Sequence, residues 1–434
     1  MRHLALSGLL AWIASAPCAA QLCVGDLYPD ARVDGADLGV LLAYWGPTTN
    51  HVGSQASDLN ADGMVDGTDL GTLLGSWGYC PARVTSVEPN VGLPQGGATV
   101  RILGQYLVGV TSIRFGAVAA PNFTVINDGS IDVVTPPSAL GTVDVSVTGP
   151  RGTTVLPGGF TYQTVLVPPW ATMLEAMPDP AVVANATLRN AIMATGRAWR
   201  VRDNATQIEM VLIPPGTFTM GCSASFDFSC NSDESPTRQV TLTNAFYMGR
   251  SEVTQAQSTA RMGYNPSDFA SGADAPNRPV EDVSWTMASN FASDVGMRLP
   301  TEAEWEYAYR AGTTTAYHAM PGYPSGTNND FQSGQIAWQG SNAGSGTKPV
   351  RQKSANGFGL FDMSGNVWEW VRDWYGTYSS GAQTNPVGPS TGNSRVLRGG
   401  GWGSNTGQVR ASRRSAQSPS FSNFDLGFRV VRDP

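Results

Sequence analysis

Charged residues and histidine are both scarce in this sequence, and each shortage excludes a class of function. Asp, Glu, Lys and Arg make up 14% of the 434 residues, the net charge is -7, and the basic residues form no run. Because phosphate binding requires clustered basic side chains, we expect no nucleic-acid partner. The histidines are His3, His51 and His318 alone, which excludes a multi-histidine metal site.

Long apolar runs are also missing after the N-terminal segment. Residues 1–20 begin with Arg2 and His3, continue through a mostly apolar stretch and end in small residues. This pattern is typical of a secretory signal peptide, cleaved here after Ala20, and the stretch falls short of the ~20 apolar residues that span a bilayer. We therefore expect a protein without a membrane span that is secreted or lies at the cell surface or in the periplasm.

Cysteine is absent after Cys230, and the few cysteines fit an exported protein. Once Cys18 leaves with the signal peptide, Cys23, Cys80, Cys222 and Cys230 remain, and four cysteines allow three connectivities. Proximity in sequence favours Cys23–Cys80 and Cys222–Cys230. Four free thiols are the alternative, which an oxidising compartment disfavours.

An internal repeat occupies residues 21–81, with DLGVLLAYWG at 37–46 and DLGTLLGSWG at 69–78. A pattern typical of a calcium-binding loop leads into the second copy and ends at its first residue. Oxygen-bearing groups stand at places 1, 3, 5, 7 and 12 of this loop, and Gly63 supplies the sharp turn. These candidate ligands are Asp58, Asn60, Asp62, the Met64 carbonyl and Asp69. The first copy offers Asp26, Asp30 and Asp37 but lacks the glycine.

The repeat resembles the type I dockerin module, and this resemblance implies a small helical calcium-binding domain that docks onto a cohesin-type protein. A calcium-stabilised cap without a docking partner is the alternative, because a motif indicates the ion and not the partner.

Residues 82–163 contain short β-branched runs between turns, which predict an antiparallel sandwich. The opening LPQGGATVRILG, the central IRFG and the closing FTY resemble the IPT/TIG immunoglobulin-like domain, which implies a spacer. Residues 164–204 are rich in proline at first and then suit one short helix. We interpret them as a linker.

Residues 205–434 show two helix-start patterns, Thr301 with Glu304 and Thr254 with Gln257, each a capping box. Ordered motifs then include GTFTMG, RLPTEAEWEYAYRAG, NGFGLFDMSGNVWEW, RVLRGGGW and LGFRVV. Together they resemble the formylglycine-generating enzyme, or sulfatase-modifying-factor, domain. The resemblance implies an α+β variant of the C-type-lectin-like fold with little regular secondary structure.

Enzymes of that family oxidise a sulfatase cysteine with two copper-binding cysteines that follow an RGGS motif. Here the matching stretch from Arg398 to Arg410 holds no cysteine, and Gly401 replaces the serine. Cu(I) prefers thiolate ligands, so we expect neither copper nor formylglycine synthesis and assign no catalytic residue. Cys222 and Cys230 lie too far away in sequence to be expected as replacements.

The resemblance also implies a calcium site, formed by the side chains of Asp362 and Glu369 and the carbonyls of Gly365 and Val367. Oxygen-only ligation suits a hard cation. Trp368, Trp370 and Trp402 form either part of the core or a sugar-stacking surface. His318 stands alone in a loop, and we expect it at the surface.

Three functions remain open from the sequence. The first is a non-catalytic, calcium-dependent, lectin-like protein that binds a carbohydrate or protein ligand and is attached through the dockerin-like module. The second is a sulfatase-modifying-factor-type oxidase with altered chemistry. The third is a structural cell-surface assembly protein.

Overall fold

A computed structural model describes residues 23–30, 32–50, 54–225 and 227–434. The chain divides into an N-terminal unit that ends at Tyr162 and a C-terminal unit, Gln163–Pro434. The predicted signal peptide lies outside the described residues. Within them, every helix is too short or too polar to cross a bilayer.

The repeat forms two copies of a short strand, a helix and a second short strand. The elements are β1 (Arg32–Val33), α1 (Gly35–Ala43), β2 (Gly46–Pro47), β3 (Met64–Val65), α2 (Gly67–Gly75) and β4 (Gly78–Tyr79). β1 pairs with β4, and β2 pairs with β3, so the two copies interlock. Each helix begins with a capping box in which one aspartate caps the helix and a second, three residues later, accepts from its amide. Cys23 and Cys80 form a disulfide that links the two ends of this segment.

Two β-sheets follow and enclose one core. Their strands are β5 (Arg83–Glu88), β6 (Val91–Gly92), β7 (Thr99–Gln105), β8 (Ser112–Phe115), β9 (Val118–Ala119), β10 (Phe123–Asn127), β11 (Ser130–Val134), β12 (Gly141–Gly149) and β13 (Gly152–Tyr162). The strand orders are β10-β11-β7-β5 and β6-β13-β12-β8-β9. Phe115 and Phe160 meet edge to face in the core, with 5.1 Å between ring centroids. This is the predicted β-rich domain.

The C-terminal unit is an α+β domain with many short strands. Its strands are β14 (Ala171–Glu175), β15 (Arg200–Asp203), β16 (Glu209–Ile213), β17 (Gly216–Met220), β18 (Arg238–Leu242), β19 (Phe246–Gly249), β20 (Ala337–Trp338), β21 (Ser364–Gly365), β22 (Trp368–Trp374), β23 (Gln383–Thr384), β24 (Arg395–Arg398), β25 (Arg414–Gln417), β26 (Leu426–Gly427) and β27 (Val431–Arg432). The main sheets have the orders β14-β15-β16-β19-β27 and β25-β24-β22-β26.

Four α-helices pack around these sheets: α3 (Ala186–Ala194), α4 (Gln255–Met262), α5 (Trp285–Asp294) and α6 (Glu302–Arg310). The predicted capping boxes of α4 and α6 are both confirmed. Every residue of α6 is buried, including its charged ones. Those charges are matched in the interior, because Glu306 pairs with Arg310 and Arg398, and Glu302 pairs with Arg414.

The interpretation of residues 164–204 as a linker needs correction. β14 and β15 in this segment form the edge of the five-stranded sheet, and Val183, Ile192 and Trp199 lie in the main core. Burial of these large apolar side chains stabilises the segment as part of the domain. The proline-rich start hid this role, because proline is compatible with a strand edge as well as with a linker.

Candidate functional site

The loop that follows β24 is fixed by backbone contacts to the segment before β22. Gly365 N donates to Gly399 O at 2.8 Å, and Trp402 N donates to Asn366 O at 2.7 Å. Gly400 has a φ of +78°, and a Cβ there would lie 2.7 Å from Val409 Cγ1. Only glycine adopts this backbone at such close approach without strain. The loop therefore has a defined shape, although little of it is regular structure.

A fully buried arginine anchors the start of this loop. Arg398 donates to Glu306 Oε2 at 2.5 Å and to the carbonyls of Ala411 and Ser412 at 2.7 and 3.0 Å. These bonds connect α6, the loop and the residues that follow it. Movement of the loop would break charge-assisted hydrogen bonds in the core.

Three aromatic side chains form a partly exposed surface beside the loop, which we call the aromatic face: Phe269, Trp402 and Phe424. Their ring centroids are 5.5 Å (Phe269–Trp402), 5.8 Å (Trp402–Phe424) and 6.3 Å (Phe269–Phe424) apart. Phe424 is 42% exposed. The amide of Phe269 donates to buried Glu281 at 2.9 Å, which fixes the position of that ring.

For two of the three tryptophans that the sequence offered as a ligand surface, the structure shows a place in the core. Trp370 is fully buried and its indole N–H donates to Val283 O at 2.8 Å, while Trp368 is 7% exposed. Both belong to the main core, because β22 is covered on both faces. Trp402 alone of the three is only partly buried. Phe269 and Phe424 were missed by the sequence reasoning, since no local pattern distinguishes them from core phenylalanines.

Buried carboxylates surround the predicted calcium loop, and they differ in how well they are paired. Both oxygens of Glu369 accept from Arg429, at 2.6 Å each, and one also accepts from Trp305 Nε1 at 2.7 Å. Asp362 Oδ2 accepts from Arg351 N at 2.7 Å. Glu369 is therefore the partner of a buried arginine, which differs from its predicted role as a calcium ligand.

Glu252 is a third buried carboxylate of this group, and the sequence analysis did not include it. Its Oε1 has no hydrogen-bond partner among the described residues, and its Oε2 has only a 3.5 Å contact from Asn366 Nδ2. Burial, together with the charges of Asp362 and Glu369, raises its pKa well above the usual value. Burial likewise raises the pKa of Asp362 to about 6.

Arg429 faces all three carboxylates and Arg351 also faces Asp362, so the group holds more carboxylates than arginines. A carboxylate oxygen without a hydrogen-bond partner in the interior is costly unless the group takes up a proton or a hard cation such as calcium satisfies the oxygen. Glu252 Oε1 is such an oxygen, whereas both oxygens of Glu369 are paired with Arg429. The three carboxylates are not among the groups of described residues whose ligand atoms all lie within 4.8 Å of one another. The carbonyls of Gly365 and Val367 belong to the same short segment.

In the N-terminal repeat, backbone amides occupy the predicted calcium ligands. Asp69 is buried and accepts from Leu59 N at 2.7 Å and Asp66 N at 2.9 Å. The other acceptors of the second copy are Asp58 from Asp62 N and Gly63 N, Asn60 from Asp62 N, and Asp62 from Met64 N. The first copy repeats this, with Asp37 accepting from Leu27 N, Tyr28 N and Asp34 N, and Asp26 from Asp30 N.

The C-terminal disulfide lies closer to the loop than its sequence position implied. Cys222 is bonded to Cys230, and Cys222 Sγ lies 3.7 Å from Arg410 Nη1. Arg410 also pairs with Asp227 and Glu234 at 2.7 and 2.8 Å. Both clusters of three or more potential metal ligands among the described residues include such disulfide sulfurs, so neither is a plausible metal site.

His318 is buried rather than at the surface. Its ring packs edge to face on Tyr309 at 5.3 Å, and its Nδ1 lies 2.8 Å from Ala319 O. Burial lowers its pKa to about 4, so the ring is neutral at pH 7. No carboxylate–histidine–hydroxyl constellation was found around it in the described part of the chain, which gives it a structural role.

The fold and the glycine-rich loop thus define an α+β domain with a fixed loop above a buried ionic core. Residues 198–434 match the sulfatase-modifying factor enzyme 1-like domain, and residues 82–162 match the IPT/TIG domain. The chain belongs to the sulfatase-modifying factor enzyme 1-like family.

Several named proteins are similar to this domain. A formylglycine-generating enzyme of Streptomyces coelicolor is 40% identical over 176 residues, covering 36% of this chain and 54% of that protein. The mouse formylglycine-generating enzyme is 33% identical over 288 residues, covering 52% and 75%. The chaperone protein LppX of Paenibacillus barcinonensis is 30% identical over 281 residues, covering 52% and 89%. This chain thus spans about half the length of the Streptomyces protein.

Proposed function

We propose that this is a secreted binding protein whose C-terminal domain makes no formylglycine and binds a ligand at the aromatic face. The observation that carries the proposal is the loop after Arg398. It keeps the glycines and the buried anchor and carries the partly buried Trp402, but it contains no cysteine. Thiolates are the ligands that select Cu(I), and the loop has no cysteine to supply a thiolate.

A carbohydrate is the ligand that the aromatic face suits best. Flat, partly exposed rings offer apolar contact area to the C–H faces of a sugar at little cost in side-chain entropy. Polar groups stand next to the rings, since Asn423 Nδ2 donates to Asp425 Oδ1 at 2.9 Å close to Phe424. A few polar groups beside apolar surface are typical of small-molecule sites.

Calcium is part of the proposal in both units. In the C-terminal domain, Asp362 and Glu252 would hold the ion, which would supply the missing positive charge. The segment 362–366 would then be braced, and this segment bonds directly to Gly399 and Trp402. In the N-terminal module, the ion would replace amide donors at the acidic loops, as expected of a dockerin-like module with a cohesin-type partner.

The test is a glycan array probed with the full chain, with calcium and then with chelator. Trp402→Ala is the key variant, and Trp77→Ala, at a 45% exposed tryptophan in the other unit, is the matched control. Loss of a central aromatic contact costs about 2 kcal/mol or more, so binding should weaken roughly 30-fold. Calcium-dependent binding lost only in Trp402→Ala supports the proposal. Binding that survives this change would refute the aromatic face as the site.

An oxidase with altered chemistry is the second candidate, and the observation in its favour is that the Cys222–Cys230 disulfide, a redox-active group, lies 3.7 Å from Arg410 at the end of the loop. A peptide carrying a sulfatase cysteine motif would be incubated with wild type and with Cys222→Ser/Cys230→Ser. Aldehyde formation that the double variant abolishes would support the oxidase and contradict the main proposal. A pull-down with cohesin domains tests the assembly role separately.

A further inference from the structure

Three adjoining cavities lie on the C-terminal domain, and none of them is lined by a residue of the aromatic face. Their volumes are about 530, 280 and 180 Å³. The first and second share Pro386 and Val387, and the first and third share Arg298 and Arg372. The three cavities therefore adjoin one another along shared side chains, and we treat them together as one cleft. None of the residues assigned above to calcium or to the aromatic face lines it.

Four arginines of this cleft form no ion pair with a described carboxylate: Arg197, Arg238, Arg372 and Arg395. We call it the arginine cleft. The other two arginines are paired, Arg298 with Glu304 and Asp433, and Arg414 with Glu302. These four guanidinium groups give the cleft a local excess of positive charge.

Two of these guanidinium groups carry a buried N–H that has no hydrogen-bond partner. The Nε atoms of Arg238 and Arg395 are both in this state. Arg395 Nη1 donates to the backbone carbonyl of Arg372, and burial together with the charge of Arg372 lowers the pKa of Arg395. A buried guanidinium N–H without a hydrogen-bond partner is costly, and an anion that accepted from it would offset that cost.

One acidic side chain that forms no ion pair within 4 Å also lines the cleft, and it interacts electrostatically with Arg372 and Arg395. Asp373 is buried, and its Oδ2 accepts from Glu302 N at 2.9 Å. Burial raises the pKa of Asp373 to about 7, so a large share of this group is protonated at neutral pH. It therefore offsets only part of the positive charge, and its protonated form can donate a hydrogen bond to a hydroxyl group.

We propose that the arginine cleft binds an acidic polysaccharide, whose carboxylate or sulfate groups pair with Arg197, Arg238, Arg372 and Arg395. Arginine forms bidentate, charge-assisted bonds with planar oxyanions. A polymer with a charge on successive sugar units places one anion in each adjoining cavity. Ser379, Gln383 and Thr377 supply hydroxyl and amide groups for the sugar.

The same features argue against single-stranded nucleic acid. Base recognition on such surfaces needs a free aromatic face for stacking. Arg395 covers Trp285 and Trp374, at 3.8 and 3.5 Å, and Tyr378 is covered by Arg238 at 4.1 Å and Arg414 at 4.0 Å. The rings in the cleft position guanidinium groups and are not open for stacking.

The experiment measures binding of the full chain to immobilised polygalacturonate, dextran sulfate and neutral dextran, with single-stranded DNA and polyglutamate as further arms. The variant is Arg197→Gln/Arg372→Gln, and the matched control is Arg83→Gln/Arg114→Gln, at two exposed arginines of the other unit. Each lost charged hydrogen bond should weaken binding about tenfold. Trp402→Ala should leave this binding unchanged, which separates it from the proposed function.

Binding to one or both acidic glycans, absent with dextran and lost in the cleft variant alone, supports the proposal. The preferred polymer then distinguishes carboxylate from sulfate. Equal binding to DNA or polyglutamate, an equal loss in the control variant, or no binding to either acidic glycan would overturn it.

Discussion

Substitution of Glu306 tests whether buried ion pairs stabilise the C-terminal domain. Its side chain is fully buried, and it accepts from Arg310 at 2.8 Å, from Arg398 at 2.5 Å and from Gly221 N at 2.9 Å. Both arginines are themselves buried. Glu306→Gln conserves shape but removes the charge that two buried cations face.

The expected loss is about 3–5 kcal/mol, the cost of leaving a buried charge without its partner. Arg398 keeps its contact with Glu302 at 3.5 Å and its bonds to carbonyls, which argues for the lower end of that range. At roughly 2–4 °C per kcal/mol for a domain of this size, the unfolding temperature should fall by about 6–20 °C.

Calorimetry on the full chain measures this, with Glu175→Gln as the matched control. Glu175 forms its ion pair with Arg200 at the surface, where the side chains are 33% and 25% exposed. Water and salt screen such a pair, so its loss should cost less than about 1 kcal/mol. If Glu306→Gln and Glu175→Gln shift the unfolding temperature equally, the assignment of a buried ionic core is wrong.

The remaining predictions concern the disulfides and His318. In the chain-entropy model, Cys23→Ser/Cys80→Ser should destabilise its unit by about 4 kcal/mol and Cys222→Ser/Cys230→Ser by about 2.5 kcal/mol, because the first loop is longer. Urea unfolding would show this, and equal losses would contradict the loop-length argument. The pKa of His318 is about 4 when folded and near 6.5 in the unfolded chain, so the unfolded state takes up its proton first as the pH falls. Wild type should therefore lose about 2 kcal/mol more than His318→Gln between pH 7 and 5, and parallel curves would show that the ring is not buried.

The local sequence was sufficient for features that depend on neighbours in the chain. The pairs Thr254 with Gln257 and Thr301 with Glu304 predicted two helix starts, because a capping box is satisfied within four residues. The ordered motifs of the C-terminal part indicated the family, which the match over residues 198–434 confirms.

The tertiary structure decided which of the candidate site residues are accessible at the surface and which are buried and paired with other side chains. Glu369 pairs with Arg429, 60 residues away, and Cys222 meets Arg410 across 188 residues. Trp370 and Trp402 carry the same side chain, yet one is fully buried and the other only partly buried. Burial, pairing and cavities are properties of contacts between distant segments, and periodicity and spacing report only on near neighbours. The arginine cleft has no signal in the sequence for the same reason: its four arginines come from separate strands and loops that the fold alone brings together.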